Sequence, residues 1–298
     1  MSPSTVLLQM LNPGRLRQIL IACASAALHA CHPSVFSKVN DAANRLNLPV
    51  AMHVAGSYEE YHYIRYGSMP LSVRGLPANE EDIAERPMWL PAGVTPVNYA
   101  LNWDAFRSDE VLAVHCVHVD DADIAKLKQY DVAIAVCSRC NAQLGMGLAP
   151  LQEFLKAGIR VGLGTDSPAA TDTADMFAEM RLGMLLHRAV NHDQFLDAKT
   201  MLELATIGGA RALKMEDEIG SLEVGKRADI IAADLSGSRQ TPIVDPVAAV
   251  VTGVSPADVL FTMVGGDILY ERGGHWNVNV NAKEALRRGM QIRMKLKD

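Results

Sequence analysis

VLAVHCVHVDDADIAKLKQYDVAIAVCSRCNAQLGMGLAPLQEFLKAGIRVGLGTD, residues 111–166, decides the fold class. VLAVHCV (111–117) is a short apolar run, followed by Asp121 as a helix N-cap and by Ile124, Leu127 and Lys128 at helical spacing. VAIAVCS (132–138) repeats the pattern through a Gly-rich loop and the helix PLQEFLKAG, which Gly158 closes. IRVGLGTD (159–166) begins a third unit, whose helix starts near Thr173 and carries Met176, Met180 and Leu185. Strand, loop, helix, strand is the signature of βα units on a parallel sheet, and strands apolar throughout are buried on both faces.

Upstream, LPVAMHVA (48–55) ends on the same kind of polar residue, and Ile19–Leu28 suits a buried strand running into a turn. His29, His53, His115, Asn141 and Asp166 all stand where an apolar run stops. A (β/α) barrel and a doubly wound sheet both place their chemistry at such ends. No G-x-G-x-x-G or P-loop accompanies these strands, so a barrel is the better reading. Residues 57–110 join two strands through a long, proline-punctuated, charged segment of the kind that covers substrates. From 216 the texture becomes short and β-rich, with Gly265-Gly266 and Gly273-Gly274 bracketing a hairpin-like strand and a charged helix near 282–296.

The bulk numbers exclude several classes. In 298 residues, 49% hydrophobic, there is material for one large core and a small satellite. A net charge of −6 without a long basic run argues against nucleic acid or an anionic membrane as partner. No apolar stretch approaches the ~18–20 residues that span a bilayer. The five cysteines form no paired framework, which fits reduced thiols in the cytoplasm. Cys137-Ser-Arg-Cys140 is nominally C-x-x-C, but no second pair completes a zinc knuckle, and it is read as ordinary thiols.

Asp166 is the sharpest single signal, because a bare carboxylate closing an apolar strand is costly without a cation or donors. With its helix starting later, capping accounts for it poorly. His53, His115 and Asp166 at three strand ends suit a divalent metal and a water that it acidifies. His118 reads as a loop residue behind them.

MHVA (52–55), residues 112–167, DMFAEMRLG (175–183), ATIGGARAL (205–213) and GSLEVGKRADIIAADL (220–235) together resemble the amidohydrolase superfamily. The branch is that of the adenosine-type, methylthioadenosine/S-adenosylhomocysteine and aminofutalosine deaminases and the triazine chlorohydrolases. The resemblance implies a (β/α)8 TIM-type barrel, here incomplete (strands four to eight), with the C-terminal part of a small β-sandwich. The divisions are a leader at 1–18, the partial barrel at 19–215 and the β-rich segment at 216–298. It also implies a deaminase of a purine-like heterocycle, acting on a small molecule with one divalent metal, zinc. His53 and Asp166 match metal ligands, and Asp166 also takes a proton from the attacking water. His115 matches the histidine that polarises substrate or water; His29 and Asn141 match substrate contacts.

Two departures accompany the matches. The family's H-x-H metal pair has no counterpart, and His29-x-x-His32 is no substitute. Where the branch reads H-x-x-E, the Glu being its acid/base, His53 is followed by Val-Ala-Gly56. Glu59 and Glu60 are nearby and read as solvated helix charges, though they are the candidates for that role if it survives. An impaired scaffold with a binding or subunit role is therefore the alternative function. An open barrel exposes strand edges and apolar faces, which predicts a homo-oligomer. Sedimentation is expected to show dimers or larger species; a compact, stable monomer would count against the open barrel.

Overall fold

A computed structural model describes residues 23–25, 28–67, 93–191, 195–237 and 241–276. Its first layer is a parallel sheet of β1 (Cys23–Ser25), β2 (Val50–Val54), β3 (Val111–His115), β4 (Ala133–Val136) and β5 (Val161–Leu163). The spatial order is the sequence order, β1-β2-β3-β4-β5, and every pairing is parallel. A doubly wound sheet would reverse direction at a switch point. Sequential order keeps every crossover going the same way, as in a TIM-type barrel.

The crossovers are helical. α1 (Ser34–Leu46) follows β1 after a 3₁₀ turn at Leu28–Ala30, and α2 (Tyr58–Tyr66) and α3 (Pro96–Asn102) lie between β2 and β3. Next come α4 (Asp121–Gln129), then α5 (Ser138–Gln143) and α6 (Leu151–Lys156) on either side of the glycine loop. After β5 stand α7 (Pro168–Thr171), α8 (Met176–Val190), α9 (Ala198–Glu203), a π-turn at Leu204–Gly208 and α10 (Gly209–Ala212). Val50, Met52, Val54, Val111, Ala113, Ile134, Val136 and Val161 are buried between strands and helices, joined by Phe36 of α1, Leu127 of α4 and Phe154 of α6.

Three local expectations shift. The cap of α4 is Asp120, not Asp121, in a reciprocal capping box with Asp123. The helix placed near Thr173 begins at Met176 with Asp175 as its cap. The short α7, capped by Ser167, starts two residues after Asp166, in a stretch the sequence pattern reads as loop.

A second, antiparallel sheet has β6 (Ile230–Ala233), β7 (Val259–Val264), β8 (Asp267–Glu271) and β9 (His275–Trp276) in that order, with α11 (Pro246–Gly253) between β6 and β7. Gly265 (φ 59°) and Gly266 (φ 90°) make the left-handed two-residue turn between β7 and β8. The helix near 282–296 lies outside the described residues. No described helix is long and apolar enough to cross a membrane.

The close fit that completes the first layer is between β5 and the segment 204–212. A Cβ on Gly162 would come within 2.8 Å of the Gly209 Cα, and one on Gly208 within 2.8 Å of the Val161 carbonyl oxygen. Backbone meets backbone there, so a methyl group cannot be absorbed by a flexible side chain. Gly162→Ala is expected to lower stability by about 1–3 kcal/mol in thermal or denaturant unfolding. Gly209→Ala, whose Cβ would meet only the Leu204 oxygen at 3.6 Å, is the control and should be neutral or mildly stabilising.

Candidate active site

The pleat sets which strand residues can meet. Along β2, Val50, Met52 and Val54 are buried while His53 turns to the opposite, exposed side. The pairings Ala113↔Ile134 and Ala135↔Gly162 hold β3, β4 and β5 in step, so their C-terminal ends open onto one space. At these ends the chain leaves the sheet through left-handed backbone at Ala55 (φ 50°), His115 (φ 77°), Cys116 (φ 47°) and Asp166 (φ 59°). Such conformations in residues other than glycine cluster at working sites. The β2 and β3 ends are tied together: the Ala55 carbonyl accepts from Val117 N–H (3.0 Å) and His118 N–H (2.9 Å).

His115 is the centre. Its ring is buried, and Nδ1 donates to Asn141 Oδ1 at 2.9 Å. With that proton on Nδ1, Nε2 presents its lone pair, 3.5 Å from Asp166 Oδ2. The His53 ring lies beside it, with centroids 5.2 Å apart. Burial, and next the neighbouring His53, hold His115 below the ordinary histidine range, so the ring is neutral at neutral pH. Asp166 behaves oppositely. Burial alone would raise it, but hydrogen bonds from the Cys140 thiol and the Ser167 N–H, with the His115 and His53 rings, hold it below the usual carboxylate value.

Four of the five residues read from the sequence thus converge: His53, His115 and Asp166 directly, Asn141 through the His115 ring. His29 stands at the end of β1 with its ring edge-on to Tyr63, 6.1 Å between centroids, and its buried Nδ1 without a hydrogen-bond partner. His118 Nε2 donates to the Met146 carbonyl of the glycine loop at 2.9 Å.

Other residues were missed. Cys137 Sγ lies with a His115 ring nitrogen and an Asp166 oxygen in one group whose atoms are all within 4.8 Å of one another. A Cβ on Gly56 would meet the His115 ring and the Met146 methyl, each at 3.0 Å, so this position faces the histidine directly. Glu179 of α8, fully buried, accepts from Arg139 N–H at 3.1 Å and is pushed up to about 7 by burial. The donor set (imidazole, carboxylate and thiol in one recess) suits a transition metal such as zinc better than magnesium or calcium.

Glu60 corrects the reading of a solvated charge. It is 2% exposed, and its Oε2 accepts from the Gly56 N–H at 2.9 Å. Its neighbours in phase on α2, Tyr63 and Ile64, are buried with it. Burial raises its carboxyl from 4.5 to about 7, against the backbone hydrogen bonds that lower it. A carboxyl that holds its proton more tightly folded than unfolded stabilises the fold fully below its unfolded pKa. That contribution is lost as pH rises through the folded value. Stability attributable to Glu60 should therefore decline between about pH 4.5 and 7. Denaturant titrations across that window are expected to slope downward for the native chain and to flatten in Glu60→Gln. An unchanged slope would mean that Glu60 is ionised in the fold.

Comparison with known proteins agrees with this geometry. The sequence profile of the Amidohydrolase family matches residues 18–269. A 5-methylthioadenosine/S-adenosylhomocysteine deaminase of Caldanaerobacter subterraneus subsp. tengcongensis is 32% identical over 256 residues, 86% of this chain and 53% of that protein. An S-triazine hydrolase of Gordonia rubripertincta is 40% identical over 162 residues, 54% of this chain and 34% of that protein. Among solved structures, an adenosine deaminase from Xanthomonas campestris with bound zinc superposes with a TM-score of 0.75 at 26% identity. That match covers 93% of this chain and 57% of that one. The chain spans about half the length of the curated relatives it matches. With a family match over most of its length and a parallel sheet in barrel order, the chain belongs to the amidohydrolase family.

Proposed function

We propose that the His53–His115–Asp166 recess is part of a hydrolytic site that removes a ring amino group from a purine-like or related heterocycle. The supporting observation is the meeting of His115 Nε2 and Asp166 Oδ2 at 3.5 Å beside His53, at the ends of three strands. In this reading the five parallel strands are strands four to eight of an eight-stranded barrel, and the antiparallel sheet is part of the accompanying β-sandwich.

His53 and Asp166 would hold a divalent metal, zinc by the donor chemistry, which when bound acidifies a water for attack on the ring carbon. The remaining work falls to the chain. Asp166, held ionised by its hydrogen bonds, takes the proton of the attacking water. His115, neutral with its proton on Nδ1, presents Nε2 as a hydrogen-bond acceptor that orients the attacking water. Asn141 fixes its ring orientation and leaves its own Nδ2, unpartnered in the structure, for substrate. His29 is a second substrate contact. The deaminase and triazine-hydrolase relatives support this substrate class, and the free cysteines Cys31, Cys116, Cys137 and Cys140 support a cytoplasmic setting. Self-association as a homo-oligomer remains part of the proposal.

The second reading, an impaired scaffold, is favoured by one observation: the position facing His115 is glycine. General acid–base catalysis is worth ~10²–10⁴-fold, and no side chain at position 56 can supply it.

The test is ammonia release by the zinc-loaded chain from a panel of aminopurine nucleosides and aminotriazines. Asp166→Ala and His115→Ala are each expected to cut the rate by about 10²-fold or more, and Asn141→Ala by about tenfold. Gly56→Glu alone is expected to give no gain, since its Cβ would press on the His115 ring at 3.0 Å and displace it from Asn141. Equal rates in the native chain and Asp166→Ala would sink the hydrolytic reading. Metal binding without any turnover would favour the scaffold.

A further inference from the structure

The C-x-x-C pair, read from the sequence as ordinary thiols, does not sit in an ordinary place. Cys137 follows β4 and Cys140 lies one turn on, in α5; both are buried, and both approach Asp166. Their roles there differ. The Cys140 thiol donates a hydrogen bond to the Asp166 carboxylate. The Cys137 thiol lies 4.0 Å from the Ala135 carbonyl, and its sulfur is grouped with a His115 ring nitrogen and an Asp166 oxygen within 4.8 Å.

We propose that Cys137 is a metal ligand: its sulfur joins Asp166 on one thiophilic divalent cation, with His115 Nε2 as third donor while no substrate is present. Donors sharing a tetrahedral zinc-sized ion at ~2.0–2.3 Å stand roughly 3.3–3.8 Å apart. The Nε2–Oδ2 separation of 3.5 Å already has that spacing. Cys137 Sγ lies within 4.8 Å of a ring nitrogen and a carboxylate oxygen of this pair. Room for that sulfur is built in, because Gly164 of the neighbouring strand end lacks the Cβ that would press on it at 3.1 Å. His115 Nδ1 is committed to Asn141, so Nε2 is the nitrogen that faces the cation. Binding releases the thiol proton to solvent, and one thiolate beside one carboxylate leaves the site near neutral with a divalent ion. A sulfur and an imidazole select zinc, cobalt or cadmium over magnesium or calcium.

The inference deepens the proposed metal site and rests on that reading for Asp166. The experiment is titration of the full chain, metal-free and reduced, with Co(II) and with Cd(II), followed by absorption spectroscopy. Thiolate bound to either ion gives a sulfur-to-metal charge-transfer band in the ultraviolet, which oxygen and nitrogen ligands do not. The native chain and Cys140→Ser are expected to show the band. Cys137→Ser, which keeps the size and loses the sulfur, should lack it and bind Co(II) about tenfold or more weakly. Mg(II) at equal concentration should not compete. Cys137→Ala serves as a second variant, with circular dichroism confirming that each chain folds. No band in the native chain, a band surviving in Cys137→Ser, or its loss in Cys140→Ser would each overturn the proposal. A sulfur band with no ammonia release would leave Cys137 as a ligand and remove the proposed hydrolysis. Turnover with no band would do the reverse.

Discussion

The His115 ring is held at both ends, by Asn141 Oδ1 at 2.9 Å on Nδ1 and by the approach of Asp166 Oδ2 to Nε2 at 3.5 Å. These partners come from three successive βα units. The arrangement exists only if β3, β4 and β5 keep their register, because a slip of one residue would turn each side chain to the opposite face. The parallel pairing is thus more than a scaffold. The polar side chains sit at its rim because the interior is filled by Met52, Ala113, Ile134 and Val136. The left-handed backbone at His115, Cys116 and Asp166 costs on the order of 1–3 kcal/mol per residue, least for the aspartate. Only a rigid core beneath can sustain that.

The same rim separates three carboxylates by environment. Glu60 and Glu179 are enclosed and both rise to about 7, while Asp166 is driven down by donors and by two imidazoles. Titratable groups whose surroundings push their proton affinities apart can divide acid and base roles at one pH. Geometry decides which of them can act. Asp166 opens on the recess with His53 and His115. Glu60 grips the frame from behind through the Gly56 N–H. Glu179 holds the start of α5 through Arg139 N–H, and so supports the helix that carries Asn141 and Cys140.

Much of this was legible in the sequence, for a physical reason. Apolar runs of four to seven residues ending on His or Asp are readable because burial and exposure change abruptly at a strand end. That change marks His53, His115 and Asp166, which the structure brings together, and Asn141 stands in the helix that follows β4. Glu60 was misjudged because two adjacent glutamates resemble a solvated helix surface. The phase of Tyr63 and Ile64, three and four residues on, was the available sign that position 60 turns inward. Cys137 carries no comparable sign, because its spacing to Cys140 resembles a plain thiol pair. Its parity with Ala133 and Ala135 places it on the face of β4 that Gly164 meets. The short α7 could not be read, since four residues with one proline carry no periodicity.

Gly56 is where fold and chemistry pull apart. Its missing side chain would stand directly before the His115 ring, with Met146 closing the other side. A carboxylate there would be in contact with the histidine and with anything bound to it. Glu60 cannot substitute from its present position. Its Oε2 is spent on the Gly56 backbone, and its Oε1 is buried without a partner. For Glu60 to deliver a proton to a leaving amine, the Ala55–Gly56 segment would have to turn. That would break the Ala55 carbonyl's two bonds to Val117 and His118. Two buried backbone hydrogen bonds, each worth about 0.5–1.5 kcal/mol net and more if left unsatisfied, resist such a turn. In this arrangement the carboxyl of Glu60 keeps the end of β2 in place through the Gly56 N–H.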